Sequence, residues 1–472
     1  MRPLRQLRRD LGSVLPECGS DRVPCDGCCG IDWPVWDIAE LRPRNPAERP
    51  TPASASSPRV HRLIFALAAG VGLWAATAVA APADNGFATA LCRSVASAVD
   101  EAAPDGRPAF VVSYRPGPQE RETPLPLRSS AFVYDNALAI VALVSCGETH
   151  RAQRIGDALL HAAAHDRSFQ DGRIRNAYRA GASAPDGRAL LPGWWAAEAN
   201  LWAEDPYQDG TATGNVAWAA LALLNLHGAT GDGRYLAGAG SLLRWIDKAA
   251  RDPGQVGFTG GLDGFDGAQT KLTWASTEHN VDIAAAAEWY TRVAGDTALA
   301  DMSRSARSFV ERAFKAQEGC FLLGTTPEGA PADPAHLALD TQLWPLLLRG
   351  APAAWRPALA CAEQRLGVEG GFDFDNDRDG LWVEGTGQAA LVYRVGGDNT
   401  RADALVNGLR QDLSPSGWLF ATRGERLTTG LKIGPNSTSA DFFYFRRPHL
   451  GATAWAILAA TGWNPFAGKR DD

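Results

Sequence analysis

The chain has 472 residues, of which 45% are hydrophobic and 21% are charged, and it contains 49 Gly and 16 Trp. This composition is that of a globular protein with a large core, and it excludes a disordered chain or a fibre. The net charge is −7 and no long basic run occurs in the body of the chain, so no nucleic-acid partner is expected.

The N-terminal region contains an export signal pattern. His61 and Arg62 precede an apolar run, 63–81, that ends in small residues with Ala78, Val79 and Ala80. This pattern predicts a signal peptide at residues 60–80, cleaved after Ala80, and a periplasmic or secreted protein with no stable membrane partner. The alternative is an uncleaved helix that anchors the protein and keeps the Arg-rich residues 1–62 inside the cell.

Residues 1–59 do not fit in front of a signal peptide. They are rich in Pro and Arg and lack apolar periodicity, which predicts an extension that is either disordered or not translated, with translation starting near Val60. Cys25 and Cys28 have the Cys-x-x-Cys spacing of a zinc site, but a second pair is missing and no His lies nearby.

Four cysteines follow the signal: Cys92, Cys146, Cys320 and Cys361. An even number in an exported chain is compatible with two disulfides, and sequence order favours Cys92 with Cys146 and Cys320 with Cys361. Four buried free thiols are the alternative.

The rest of the chain predicts six pairs of helices. An amphipathic helix at 87–103 is followed by an apolar helix that opens at Tyr134 and ends near Gly147, and then by an amphipathic helix at 149–166. The same alternation of apolar and amphipathic helices continues at 213–228 with 232–250, 278–295 with 297–316, 337–348 with 352–366, and 384–395 with 400–413. The last apolar helix, 451–461, lacks a following partner, and helix 87–103 can supply it.

A helix that is apolar on every side must be enclosed by other elements. Six such helices therefore predict an inner ring surrounded by an outer ring of six amphipathic helices. In a ring of parallel inner helices, all the N-termini meet at one face, so their polar first residues meet there as well.

The polar helix starts and the neighbouring aromatic residues favour a sugar ligand. The aromatic residues that precede the inner helices or lie in their first turns are Trp194, Trp195, Trp202, Trp274, Trp344, Trp382 and Tyr444. A sugar stacks its C–H face on such rings, and its hydroxyls bond to carboxylates and amides. The alternatives are ordinary helix capping for the polar residues and core packing for each Trp.

Three motifs carry a resemblance to a known group of proteins: Tyr134-Asp135-Asn136-Ala137-Leu138, Trp382-x-Glu384-Gly385-Thr386-Gly387-Gln388, and Thr453-Ala454-Trp455 before Asn464-Pro465-Phe466. With the two-ring pattern, the chain from 87 to 466 resembles the six-hairpin glycosidase superfamily. The resemblance implies an all-α (α/α)6 barrel of six helical hairpins, with minor β-hairpins in the loops. It also implies carbohydrate chemistry, commonly hydrolysis by two carboxylates without a required cofactor. No individual family is assigned.

Hydrolysis needs one protonated acid and one ionised carboxylate, separated by about 5 Å for retention of configuration or roughly 6.5 to 9.5 Å for inversion. We predict Glu278 as the general acid, because Trp274 would partly desolvate it and raise its pKa. Glu384, or failing that Asp135, would be the base. The residues predicted to contact the sugar are Tyr134, Asn136, Trp274, His279, Asn280, Asp282, Asp340, Gln342, Trp382, Gln388 and Arg447.

Other activities on the same fold are open alternatives. A polysaccharide lyase would use His279 or a Tyr as base, and Asn280 or Arg447 to neutralise a uronate carboxylate in an acidic glycan. A sugar epimerase fits the export signal poorly. A non-catalytic glycan-binding protein would use the acids only to bond hydroxyls. The sequence does not fix the oligomeric state.

A separate motif is rich in aspartate. Asp373, Asp375, Asp377 and Asp379 alternate and are followed by Gly380, as in the first half of an EF-hand calcium loop, but Thr386 stands where the loop needs its last Glu. We predict a structural calcium ion here. The alternative is a turn in which the aspartates cap their own backbone.

Overall fold

In the computed structural model, residues 85–116, 123–184, 187–252, 254 and 256–470 are described. The predicted extension, the signal peptide and the cysteines of residues 18–29 lie outside these residues. Among the described residues, we find no helix with the length and apolarity needed to cross a membrane.

Thirteen α-helices are present in the described residues. They are α1 (Asn85–Ala102), α2 (Val133–Ser145), α3 (Thr149–Ala164), α4 (Pro206–Asp209), α5 (Thr213–Thr230), α6 (Gly233–Ala250), α7 (Thr277–Ala294), α8 (Ala300–Ala313), α9 (Leu339–Leu343), α10 (Pro357–Arg365), α11 (Val383–Val395), α12 (Asn399–Gly408) and α13 (Leu450–Thr461). Short 3-10 helices lie at Leu125–Leu127, Thr297–Leu299, Trp344–Leu347, Ala353–Trp355 and Leu409–Asp412.

The inner ring consists of α2, α5, α7, α9, α11 and α13. Each contacts the next one in chain order, and α13 contacts α2, so the ring is closed. The outer helices α3, α6, α8, α10 and α12 each pack on the inner helix that precedes them, and α1 packs on α13. The predicted all-α (α/α)6 barrel is therefore confirmed, including the pairing of the first helix with the last.

The fourth inner helix differs from its prediction. The expected helix 337–348 is α-helical only over α9, and it continues as the 3-10 helix Trp344–Leu347. Pro345 lies inside this segment and has no backbone N–H, so it cannot donate the hydrogen bond that would extend the α-helix. The ring nevertheless stays closed, because α9 contacts both α7 and α11.

Antiparallel hairpins occupy the loops, as predicted. The pairs are Ala109–Phe110 with Gly181–Ala182, Ser130–Phe132 with Ala177–Arg179, Trp194–Ala196 with Leu201–Ala203, Phe314–Lys315 with Cys320–Phe321, Gly367–Val368 with Gly371–Phe372, Arg426–Thr428 with Phe443–Phe445, and Trp463–Asn464 with Lys469–Arg470. A three-stranded sheet joins Thr211–Ala212, Gly261–Asp263 and Thr270–Leu272.

The two faces of the barrel carry loops of very different length. At the face where the inner helices end, the connections are short, because α5 and α7 stop at glycines with positive φ, Gly231 and Gly295, and the outer helices begin almost at once. The connections at the N-terminal face are 103–132, 165–212, 251–276, 314–338, 366–382 and 409–449. Long loops gathered at one face of a rigid scaffold are the usual place for a binding site.

Both predicted disulfides are present. Cys92 in α1 is bonded to Cys146 at the end of α2, and Cys320 is bonded to Cys361 in α10. Each ties an outer helix to a neighbouring hairpin of the barrel. Two disulfides are compatible with an extracellular protein.

Aromatic side chains fill the centre of the barrel. Trp218 and Trp455 are the sixth residues of α5 and α13, and Trp344, which directly follows α9, is the sixth residue from the start of that helix. Their ring centroids lie 5.3 to 5.9 Å apart. Phe466 closes the cluster at 5.3 Å from Trp218 and 5.8 Å from Trp344. This plug separates the N-terminal face from the rest of the interior, so carboxylates above it are largely removed from water.

Candidate active site

The candidate site is formed by the second residue of each inner helix. These positions hold Tyr134, Gly214, Glu278, Asp340, Glu384 and Gly451. Parallel helices place equivalent residues at one level, so the three acids face one another across the ring. The N-terminal ends of the helix dipoles favour negative charge there, whereas burial opposes it.

Glu384 is 1% exposed and lies at the centre of a hydrogen-bonded chain. The Tyr134 hydroxyl donates to Glu384 Oε1 at 2.6 Å, and the indole N–H of Trp455 donates to the same hydroxyl at 2.9 Å. Burial raises the pKa of Glu384 to about 7, against the opposing charge of His449 and with a further contribution from Asp135. This carboxyl therefore changes its charge near neutral pH.

His449 lies between two carboxylates. Its Nε2 is 3.3 Å from Asp135 Oδ1, and its Nδ1 is 3.6 Å from Glu384 Oε2 and 3.4 Å from the backbone nitrogen of Ala452. Burial opposes protonation of the imidazole, but Asp135 and then Glu384 raise the pKa of His449 above its ordinary value. When His449 is protonated, its charge lowers the pKa of Glu384 and so favours the ionised form of that carboxylate.

Gly451 leaves the space in which these groups meet. A Cβ at this position would lie 2.7 Å from Asp135 Oδ1, 2.8 Å from Glu384 Oε2 and 3.0 Å from a carbon of His449. A side chain at residue 451 would therefore displace one of the three groups. The glycine gives the site room for a ligand that bonds to both carboxylates.

Two tyrosines and an arginine surround His449. The ring of Tyr114 stacks on the imidazole at 4.6 Å, and the ring of Tyr444 lies 6.2 Å from it. Burial raises the pKa of both phenols well above the ordinary value, and Asp135 and Glu384 add to that effect. Arg447 opposes the increase for Tyr114. These phenols remain protonated and act as hydrogen-bond donors at neutral pH.

Glu278 stands across the ring and is partly exposed, so a ligand can reach it. Burial raises the pKa of Glu278 well above its ordinary value, and Asp340 and then Glu384 raise it further. A carboxyl that keeps its proton at neutral pH is suited to act as a general acid. The direction of the shift agrees with the sequence-based expectation, and the neighbouring carboxylates add a charge effect to that of burial.

His279 and Trp274 lie beside Glu278 on the wall of the site. The His279 ring is 5.5 Å from the Trp274 ring, and its Nδ1 is 3.0 Å from Thr213 Oγ1. Gly214 leaves room for the imidazole, since a Cβ there would lie 2.8 Å from Nε2. Burial lowers the pKa of His279 to about 4, so the ring is neutral at neutral pH.

A deeper layer lies below these residues. Asp282 follows Glu278 by one helical turn and is 0% exposed, while Asp340, at the level of Glu278, is 5% exposed. Burial raises the pKa of Asp282 well above its ordinary value, with contributions from Glu278 and Asp340, and burial raises that of Asp340 to about 7. The amide of Gln388 is also fully buried, and neither its oxygen nor its nitrogen has a hydrogen-bond partner among the described residues. Such polar atoms are suited to bind a ligand or water.

Three predicted sugar contacts have a different role. Asn136 accepts from the backbone N–H of Val111 at 2.9 Å, Asn280 from that of Phe258 at 2.9 Å, and Gln342 from that of Phe321 at 2.8 Å. Each amide also donates to the carbonyl of the same partner residue. We therefore correct the expectation for Asn136, Asn280 and Gln342, because these buried side chains hold loop strands against the inner helices.

Trp382 also departs from its prediction. It is 2% exposed, and its ring packs 4.8 Å from Phe374 and 5.6 Å from Tyr444. Close packing against Gly385, whose Cβ would lie 2.2 Å from the indole, leaves no open face for a sugar. Trp382 supports Tyr444 from below and is corrected from a sugar contact to a core residue.

The aspartate turn lies in the loop before α11. Carboxylate oxygens of Asp373, Asp375 and Asp377 come within 4.8 Å of one another, whereas Asp379 is not part of this group. Asp375 accepts from the backbone N–H of Asp377, and Asp377 accepts from that of Asp379, as expected for an Asp-capped turn. Asp377 and Asp379 also bond to Thr428. A calcium ion at this turn stays a prediction.

The sequence analysis placed Asp135, Glu278 and Glu384 together and missed the partners of two of them. Tyr114 precedes its inner helix by many residues, and only its backbone pairing with His449 brings it to the site. The glycines were missed because their function is to leave space. His449 directly precedes the last inner helix, and the surrounding sequence gives no sign that it contacts Asp135.

Comparisons with known proteins support the fold. No protein-family model matches the chain, and no curated protein matches it. A solved glycosidase variant in complex with glucose matches with a TM-score of 0.53 at 12% identity, covering 82% of this chain and 99% of that one. A cellobiose 2-epimerase from Bacillus thermoamylovorans matches with a TM-score of 0.54 at 8% identity over 80% and 99%.

A third solved structure is a GH76 alpha-mannanase from Bacteroides thetaiotaomicron, with a TM-score of 0.51 at 11% identity, covering 79% of this chain and 95% of the mannanase. Identities this low show the fold and leave the reaction open. The chain has the (α/α)6 barrel fold of these carbohydrate-active enzymes, as its resemblance to the six-hairpin glycosidases implied.

Proposed function

We propose that this chain is an exported glycoside hydrolase that cleaves a polysaccharide or oligosaccharide with a pair of carboxylates. The single observation that carries the proposal is the contrast between Glu278 and Glu384. Both stand at the second position of an inner helix, but Glu384 has His449 within 3.6 Å and accepts a hydrogen bond from Tyr134, while Asp340 and Glu384 raise the pKa of Glu278. Glycoside hydrolysis needs one protonated and one ionised carboxyl, and these two environments favour different protonation states.

In this mechanism Glu278 protonates the leaving oxygen of the glycosidic bond. Glu384, whose ionised form is favoured by His449 and Tyr134, acts from the other side as base or nucleophile. Asp135 shares His449 with Glu384 and is the alternative in that role. Tyr114, Tyr444 and Arg447 are placed to donate hydrogen bonds to the sugar on the His449 side of the ring.

A lyase is the second candidate, because an arginine, two tyrosines and a histidine meet beside Asp135. A lyase must remove a carbon-bound proton, and an ionised Tyr or a neutral His would have to act as base. The raised pKa of Tyr114, Tyr444 and His449 opposes that role. His279 is neutral and remains the base to test, but Asn280 is held by backbone groups and cannot neutralise a uronate.

Product analysis by mass spectrometry tests the proposal. Protein from Ala81 onward is incubated with neutral and acidic polysaccharides, and the new chain ends are identified. Fragments that carry one added water at the cut support the hydrolase. Unsaturated uronate ends would instead identify a lyase, and an epimerised but uncut sugar would identify an epimerase. Binding without any reaction on a broad panel would leave a glycan-binding protein.

A further inference from the structure

A hairpin with two exposed tryptophans lies in 165–212, the longest connection on the N-terminal face. Trp194–Ala196 and Leu201–Ala203 pair antiparallel, with Trp195 directly opposite Trp202. Trp195 is 55% exposed and Trp202 is 46% exposed. Adjacent large aromatic rings in water are unfavourable unless a ligand covers them part of the time. We call this element the aromatic hairpin.

The aromatic hairpin is held rigidly at its base. Arg167 donates two hydrogen bonds, of 2.6 and 2.7 Å, to the carboxylate of Glu204, which follows the second strand. The guanidinium of Arg179 lies 5.0 Å from the centre of the Trp202 ring. Gly193 lies so close to this ring that a Cβ there would be 2.5 Å from the indole nitrogen. Trp202 is therefore fixed in one orientation, as in a built binding surface.

The hairpin is continuous with the candidate active site. Arg179 belongs to the strand Ala177–Arg179, which pairs with Ser130–Phe132, and that strand leads directly into α2 with Asp135. The ring of Phe132 lies 6.3 Å from the ring of Tyr207. Burial raises the pKa of Tyr207 to about 12, and Glu278 and Asp135 contribute to the increase. Tyr207 is therefore close to the acids and to Phe132, whose strand pairs with the strand of Arg179.

We propose that Trp195 and Trp202 bind a distal sugar unit of a glycan whose scissile bond lies between Glu278 and Glu384. This inference rests on the proposed function and limits the substrate to a chain of several sugar units. A binding surface away from the scissile bond contributes to binding only for such a substrate. Aromatic rings in a fixed orientation suit the flat C–H face of a pyranose.

The test compares substrate lengths in Trp195→Ala. The wild type and the variant are assayed on a short and a long oligosaccharide of the linkage that the wild type cleaves. Loss of one stacking contact is expected to raise KM for the long substrate about three- to tenfold, with kcat and the short substrate unchanged. Trp195→Tyr should restore most of the loss. Val293→Ala, which truncates an exposed apolar side chain near the opposite end of α7, is the matched control.

Several outcomes would overturn the inference. Equal KM values for Trp195→Ala and wild type on the long substrate would do so, and so would an equal loss on both lengths. A wild-type dimer in sedimentation that Trp195→Ala dissociates would show that the hairpin binds a second copy of the chain. If the wild type cleaves nothing, the proposed function fails, and the hairpin is tested by electrophoresis in gels of starch, mannan or β-glucan. Retardation that Trp195→Ala abolishes supports the platform, and no retardation overturns it.

Discussion

Five of the six inner helices carry a polar side chain at the fourth residue, and four of those also carry one at the second residue. The two positions differ in how their hydrogen bonds are met. At the fourth position, Asn136, Asn280 and Gln342 bond to the backbone of loop strands. Thr386 and Thr453 occupy the same position on α11 and α13 and accept from Phe372 and Leu419 in the same way. This layer is fully paired and fixes the loops.

At the second position, Glu278, Asp340 and Glu384 are close enough to raise one another's pKa. Removing several carboxylates from water at one place destabilises the folded protein, so a purely structural role does not explain why they are there. The comparison therefore distinguishes two roles of buried polar residues. The fourth-position layer stabilises the fold, and the second-position layer is kept for chemistry.

The largest effect is expected from Glu278→Gln. Loss of a general acid should lower kcat about a hundred- to ten-thousandfold, with the thermal midpoint unchanged or raised, because a buried acid is replaced by a neutral group. Activity assays and calorimetry measure the two quantities. Glu288→Gln makes the same substitution farther along α7 and should change neither. Full activity in Glu278→Gln would show that the second-position acids are not catalytic.

Asn280→Ala tests the other layer. It leaves the backbone N–H and C=O of Phe258 unpaired in the core, so we expect the free energy of unfolding to fall by about 3 kcal/mol. Below the unfolding transition, kcat should stay within about twofold of the wild type. Denaturant titration and steady-state kinetics measure the effects. A large loss of kcat in a fully folded variant would place Asn280 in the site and remove the distinction between the layers.

This distinction explains how far the sequence could predict the molecule. The uniformly apolar inner helices identified the two rings, and the order of the cysteines identified both disulfides. The second and fourth positions lie only two residues apart on each helix, and both are commonly polar. The sequence therefore could not distinguish the structural position from the candidate catalytic one. Asn136 depends on Val111 and Gln342 on Phe321, partners that only the folded loops bring close.

The same reason explains the missed half of the site. Tyr114 and His449 come from different loops and meet through one backbone pairing and a ring contact. No local pattern marks either residue as a partner of Asp135 or Glu384. Glu278 could be selected as a candidate because its helix start is crowded with polar residues, whereas the groups that tune the pKa of Glu384 could not be identified.

Glu384 should also make the free energy of unfolding depend on pH. Its pKa is about 7 in the folded protein against an ordinary value of 4.5, so the folded state holds this proton more tightly than the unfolded state does. The resulting stability is full below pH 4.5 and is lost as pH rises through 7, with a total of about 3 kcal/mol. Glu384→Gln should remove this part of the pH dependence. Denaturant titrations of both proteins across that pH range measure the free energy of unfolding. If the wild type and Glu384→Gln show the same pH dependence, the pKa of Glu384 is not raised in the folded protein.

The smallest effect is expected from His449→Gln. This variant tests whether His449 sets the pKa of Glu384 apart from those of the other second-position acids. The charge of His449 lowers the pKa of Glu384, so its removal should raise that pKa and leave the base protonated over more of the pH range. The acidic limb of the kcat/KM profile should therefore move to higher pH, while activity on the alkaline side of the limb is largely kept. A purely structural role for His449 would lower activity equally at every pH, and a limb that stays in place would assign the tuning of Glu384 to Tyr134 instead.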